Sequence, residues 1–229
     1  KFKPEVTDFA VLAKADTSGA DSFDAETGTF GSSLAADAVK DFSVTGAKAD
    51  KTKTVSTTAD GTEIKSTHQA VGTYSTLWYN NTTGNYLIEY NADAINALKA
   101  GQTPSEIYKV SVTSDGVTSA AKDLTINYTG VNDAPFILHS NSVYLPTVLA
   151  VSQDSQGGHF AVVDLTKYFG DADANDTMTF VLERVSSRDD SGRTRSYSPG
   201  EGVSVGNDDN KLYFSDSLVA ATYHIDVKL

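Results

Sequence analysis

Cysteine is absent from all 229 residues. That excludes disulfides, thiolate metal sites and cysteine nucleophiles, and leaves the compartment open. No apolar run approaches the roughly 18 residues that a membrane-spanning helix needs. No signal-peptide pattern stands at Lys1, as a mature or excised fragment would show. His68, His139, His159 and His224 are isolated from one another, with no His-Glu-x-x-His spacing. A Gly-x-Ser-x-Gly elbow and a phosphate loop are also missing, so no catalytic activity is expected. Basic residues are scarce: 18 Lys and Arg stand against 30 Asp and Glu, for a formal net charge of -12. Before Pro135 there are 17 acidic and 11 basic residues, and after it 13 and 7. Each part carries -6, so the acidity is not a tail. Such a surface repels nucleic acid and anionic membrane and favours divalent cations.

What is present points to strands. Apolar residues make up 39% of the chain, enough for real cores. Of the 30 acidic residues 23 are Asp, which suits turns and hard-oxygen sites. The stretch Gly72 to Asn91 reads as a hairpin turning at Asn80 to Gly84, with Tyr86, Ile88 and Tyr90 alternating on the return. Ala92 to Gly101 fits a short helix. Tyr108 to Thr113 alternates into the Asp115-Gly116 turn, and Lys122 to Tyr128 closes the series. Lys48 to Lys65 reads as solvated strands around Asp60-Gly61, and Ser33 to Phe42 carries a weak helical period. After Pro135 further strands are expected within Phe136 to Pro146, Gly157 to Phe169, Thr177 to Val185, Gly202 to Ser215 and Ala221 to Leu229. Ser186 to Gly202 reads as a charged loop. Many short strands with only fragments of helix mean an all-β chain of β-sandwiches. Two domains are expected, 1–135 and 136–229, bordered at Val131 to Phe136, where Pro135 cannot continue a ladder.

With these strands placed, GTYSTLWYNNTTGNYLIEYN, LKAGQ and VSVTSDGVTSAAKDLTINYTGVNDAP resemble, in order, the VCBS-type repeat of large bacterial RTX-type surface adhesins. Ser75 stands where that repeat usually has a second Gly, a change expected to alter one turn only. VVDLTKYFGDADANDTMTFVLE and the later strands resemble the cadherin-like domain of the same adhesins, with Asn175 departing from the frequent Asp-Gly-Asp form. The closing turn of that domain is absent, as if it were truncated at Leu229, and nothing before Asp41 matches. The resemblance implies tandem Greek-key sandwiches of immunoglobulin or cadherin type, with calcium at the domain borders. It implies secretion or display on the surface of a Gram-negative bacterium and a place in biofilm or cell adhesion. The implied partners are neighbouring adhesin domains and, for some members, a host or biofilm glycan or protein.

The cation-site candidates are Asn132 and Asp133 at the border, Asp171 and Asp173 as an Asp-x-Asp pair in a loop, and Asp115 from the preceding Asp-Gly turn. Calcium takes six to eight oxygens, so one linker carboxylate is insufficient, and loops at one pole of a sandwich converge. The plainer account of each Asp alone is a solvated turn. Asp50, Asp60, Asp208 and Asp209 are weaker candidates. The rings of Tyr74, Trp78, Tyr79, Tyr86, Tyr90 and Tyr108 suggest core packing ahead of a carbohydrate platform, with some facing outward because Tyr79 opposes Tyr74 and Trp78 in parity. All four arginines, Arg184, Arg188, Arg193 and Arg195, fall within one charged stretch. That stretch is a mobile charged loop or, through Arg188, Arg193 and Arg195, a contact for an acidic partner or glycan. The leading expectation is a calcium-stabilised extender module, and its rival is a ligand-binding module of the same kind of adhesin.

Overall fold

The computed structural model describes residues 3–17, 22–137, 161–173, 176–188, 190–198, 201–206, 210–214 and 222–228. The chain forms two compact units, Lys1–Asp133 with Ala172–Ala174, and Ala134–Asp171 with Asn175–Leu229.

In the first unit the strands are β1 (Leu12–Ala15), β2 (Glu26–Thr29), β3 (Asp41–Val44), β4 (Lys48–Ala49), β5 (Thr54–Thr57), β6 (Glu63–Lys65), β7 (His68–Val71), β8 (Ser75–Tyr79) and β9 (Asn85–Tyr90). After the helix α1 (Ala92–Asn96) come β10 (Ser105–Ser114), β11 (Val117–Thr118) and β12 (Lys122–Thr129). One sheet runs β1-β12-β10-β11, with β3 also on β10, and the other runs β2-β9-β8-β7-β4. The alternation seen in the sequence explains the two layers. Leu77, Tyr79 and Ile88 from one sheet and Val110, Val112, Leu124, Ile126 and Tyr128 from the other share one core. Phe30 packs among these rings, 5.0 Å from Tyr86 and 5.6 Å from both Phe42 and Tyr79. The aromatic residues are thus mostly core. Trp78 points to the opposite face, where its indole N–H donates to Glu89 and Lys53 lies over the ring.

The N-terminal segment supplies an edge to each sheet. β1 lies parallel to β12, and β2 lies antiparallel to β9. A Lys14–Glu26 ion pair joins these two edges. The weak helical period at Ser33 to Phe42 does not become a helix. A bridge binds Ser32 to Val6, a turn closes from Ala35 to Ala38, and Phe42 is taken into β3, where it is buried.

The two sheets are also tied by a polar clasp. Glu106 of β10 accepts the backbone N–H groups of Thr73 and Tyr74, the Ser75 hydroxyl, and the hydroxyls of Tyr108 and Tyr128. Gly72 makes room for it, since a Cβ there would stand 2.0 Å from a Glu106 oxygen. Ser75 therefore does more than reshape one turn. It is buried and contributes a hydroxyl to a bond between sheets.

The second unit holds β13 (Phe136–Ile137) on β15 (Phe169–Gly170). It also holds a three-stranded sheet of β14 (Ala161–Asp164), β19 (Lys211–Phe214) and β18 (Val203–Val205). A third sheet places β16 (Val181–Arg188) between β17 (Thr194–Tyr197) and β20 (Thr222–Lys228). Its core is Leu165, Phe180, Val185, Tyr197, Val203, Leu212 and Phe214. Asp164 caps the 3-10 turn Leu165–Lys167 through Thr166, whose hydroxyl and N–H hold the carboxyl below its usual range. The charged stretch expected to be a loop is a hairpin. β16 continues to Arg188, and Ser196 and Tyr197 pair back onto Ser186 and Val185. Most of the strand expected from Phe136 to Pro146, and Asp208 and Asp209, lie outside the described residues.

Candidate metal centre

The candidate centre starts from β12. That strand delivers Thr129, then Gly130, whose N–H donates to Gln102 O at 2.9 Å. A Cβ at Gly130 would come 2.3 Å from Leu98 O, so this close approach of two backbones admits only glycine. The chain then passes Asn132, whose side-chain amide donates to the Asp133 carbonyl at 2.8 Å, and reaches Asp133. Asp133 is 1% exposed.

Its backbone N–H donates to Oδ2 of Asp173 at 2.6 Å, and Asp173 is 3% exposed. The Asp-rich turn supplies more. Carboxylate oxygens of Asp171, Asp173 and Asp176 all lie within 4.8 Å of one another. Asp-rich turns are ordinarily solvated, and removing carboxylates from water costs several kcal/mol each without countercharge. The burial of Asp133 and Asp173 is what sets this turn apart. The donors are oxygens alone, with neither His nor Cys in the triad. Three clustered carboxylates, each able to bind through one or two oxygens, together with carbonyls and water, can supply the six to eight oxygens of a calcium site. The residues fit that ion.

One contributor escaped the sequence reading, and so did a buried carboxylate at the same end of the first unit's sheet. Asp176 stands five residues after Asp171, and its carboxylate joins those of Asp171 and Asp173. Asp16 follows β1, and its N–H donates to Thr129 O at 2.8 Å. Because β1 and β12 are parallel, Asp16 leaves its sheet at the same end as the Asn132–Asp133 segment, and it is 2% exposed. The parallel register that places it has no local sequence signal.

Asp115 does not join the group. It sits at positive φ in the turn after β10, whereas the antiparallel register puts the end of β12 beside Ser105, the first residue of β10. The intervening strand separates them by about 30 Å. Asp60 is a turn residue. Bonds from the Thr58 hydroxyl and then Thr62 hold its carboxyl below the usual range. Asp50 is likewise an exposed turn residue at positive φ. Arg188 is exposed at the end of β16, and Arg193 lies exposed in the turn before β17. The Arg195 guanidinium lies 4.7 Å from the Tyr197 ring centre and pairs with Glu201 at 3.3 Å.

No family model matches the chain, and no curated protein does. Among solved structures, protocadherin gamma B2 extracellular cadherin domains 1–5 is similar over 96% of this chain, at 13% identity and a TM-score of 0.30. The chain spans 37% of the length of that structure. A likeness at that score carries no argument. The strands and shared cores above define the chain as all-β, and the first unit as a two-sheet sandwich. Among the described residues no helix is long and apolar enough to cross a membrane.

Proposed function

We propose that the chain is a non-enzymatic, calcium-stabilised structural module of an extracellular adhesion protein, of the cadherin-like kind that its sequence motifs resemble. The observation that supports this reading is the burial of Asp133 and Asp173, joined by a 2.6 Å bond, beside the Asp171 and Asp176 carboxylates. A calcium ion held there would neutralise the converging charge. It would also hold Asp173 in the place where it accepts the Asp133 N–H. The role is mechanical: a chain of sandwiches carries load only as well as its connecting backbone resists bending.

Titration calorimetry on chelator-stripped protein tests the site. Calcium is expected to bind, and Asp133→Asn to weaken it by about tenfold or more through loss of a ligating charge. Asp115→Asn is the control, since Asp115 lies at the far end of β10. Equal loss in both variants, or no calcium binding at millimolar concentration, overturns the proposal.

A further inference from the structure

Among the described residues, the first strand of the first unit, β1, lies against its last, β12, and the two run parallel. Leu12, Ala13, Lys14 and Ala15 stand opposite Ile126, Asn127, Tyr128 and Thr129. The Asp16 N–H continues the ladder onto Thr129 O at 2.8 Å. Strand direction decides how tension meets this pair. The chain enters β1 at Leu12 and leaves β12 at Thr129, at opposite ends of the pairing. A pull along the chain therefore draws β1 backwards and β12 forwards. The two strands must slide past one another, and evenly spaced parallel bonds take that load together. In an antiparallel pair the same two chain ends would meet at one end of the ladder, and the bonds would open one after another. β12 is the better anchored partner. It is held on its other side by β10 over Ser105 to Val110, and its Leu124, Ile126 and Tyr128 are in the core. β1 is an edge strand, held by one neighbour and by the Lys14–Glu26 ion pair. The β1–β12 ladder is thus the first element of the sandwich that such a pull must break.

We propose that the β1–β12 pairing is the tension-bearing clamp of the first unit and sets the force at which that unit opens when pulled along the chain. The inference rests on the mechanical reading above for its purpose, and not on the calcium ion. The backbone supplies a finer distinction. Successive N–H groups of a strand point to opposite sides. The Asp16 N–H faces β12, so the N–H of Lys14, two residues earlier, faces it as well. That of Ala13 faces the open edge of the sheet.

Single-molecule pulling on the full chain, with chelator present, tests the clamp. The chain has no cysteine, so two introduced cysteines give unique handles. Ala10, Ala121 and Ala134 are exposed. Ala10→Cys with Ala134→Cys loads the pairing along its length. Ala10→Cys with Ala121→Cys joins the two strand starts and opens the pairing from one end. The lengthwise opening force is expected to be about two- to fourfold the other, because four paired positions yield together rather than in turn. Lys14→Pro removes a ladder donor and should lower the lengthwise force by about half. Lys14→Ala keeps that donor and loses only the ion pair, and should lower it much less. Ala13→Pro should also cost little, since proline is tolerated where an edge strand's N–H faces outward. The comparison of the two pulling directions uses the unaltered ladder, so it decides the matter even if a proline variant fails to fold. Equal force in the two directions would overturn the clamp, as would an Ala13→Pro loss matching that of Lys14→Pro. A directional force in protein that binds no calcium would keep the clamp and remove the ion, and calcium binding with equal forces would do the reverse.

Discussion

Calcium at one hundred times its dissociation constant raises the melting temperature of this chain by about 5–10 °C over the chelated protein. The size follows from mass action. A ligand that binds only the folded form adds about 2.7 kcal/mol at that excess, and a unit of this length converts each kcal/mol into roughly 2–4 °C. Changing Asp171 and Asp173 together to Asn is expected to remove most of the shift. The same pair of changes separates a cation site from a structural role. An Asn at position 173 keeps a carbonyl oxygen for the Asp133 N–H and loses only the charge. Without calcium, the double variant should therefore melt at or above the wild-type temperature, since like charges no longer converge. A variant that melts lower than wild type in chelator would show that these carboxylates hold the fold by themselves. Identical wild-type curves with calcium and with chelator would remove the ion from the account.

The second large effect belongs to Glu106. Replacing it with Ala leaves two backbone N–H groups and three hydroxyls of the clasp without their shared acceptor. Hydrogen bonds to a charged group are worth about 1.5–3 kcal/mol each, and here they act as one unit, so the expected loss is about 2–4 kcal/mol. Glu106→Gln keeps an oxygen and should lose about half as much. Urea midpoints with an unchanged slope measure both. The clasp also has an alkaline limit. Burial first, and the Glu106 charge next among the causes that raise it, push the Tyr108 and Tyr128 phenols above their ordinary range. A group whose folded pKa is raised contributes fully below its unfolded pKa, near 10 for tyrosine, and loses that contribution as pH rises further. Wild-type stability should accordingly fall above about pH 10. A Glu106→Ala protein as stable as wild type would mean that apolar packing alone joins the two sheets.

The strands were legible where alternation is strict. Tyr86, Ile88 and Tyr90 mark β9, and Leu124, Ile126 and Tyr128 mark β12, because a half-buried strand must place every second residue in the core. The turns at Asn80 to Gly84 and Asp115-Gly116 announced themselves through residues that tolerate positive φ, as Gly84, Asp115 and Gly116 do. The edges were not legible. β1 and β2 are four residues each, and Lys14 and Glu26 give them little apolar signal; only their partners define them. Arg188 and Arg195 disguised a hairpin as a loop for the same reason, since their charge masks the period of Val185, Ser187 and Tyr197.

The candidate centre was legible in part. Asp133 before a proline and the Asp171-x-Asp173 pair are sequence features, and the structure brings these three into one neighbourhood. Asp115 misled because a turn one hairpin back lies at the same pole only if the strand count between them is even. One full-length strand, β12, lies between them and runs antiparallel to β10, so Asp133 follows at the opposite end from Asp115. Asp16 was invisible because its position depends on a parallel pairing with β12 across more than one hundred residues.

Calcium-soaked crystals, with the anomalous difference map phased on the protein, measure the central claim most directly. The account predicts a peak about 2.3–2.6 Å from carboxylate oxygens of Asp133 and Asp173, with Asp171 or Asp176 completing the shell. A map with no peak there at millimolar calcium, while Asp133 and Asp173 keep their mutual hydrogen bond, would contradict it.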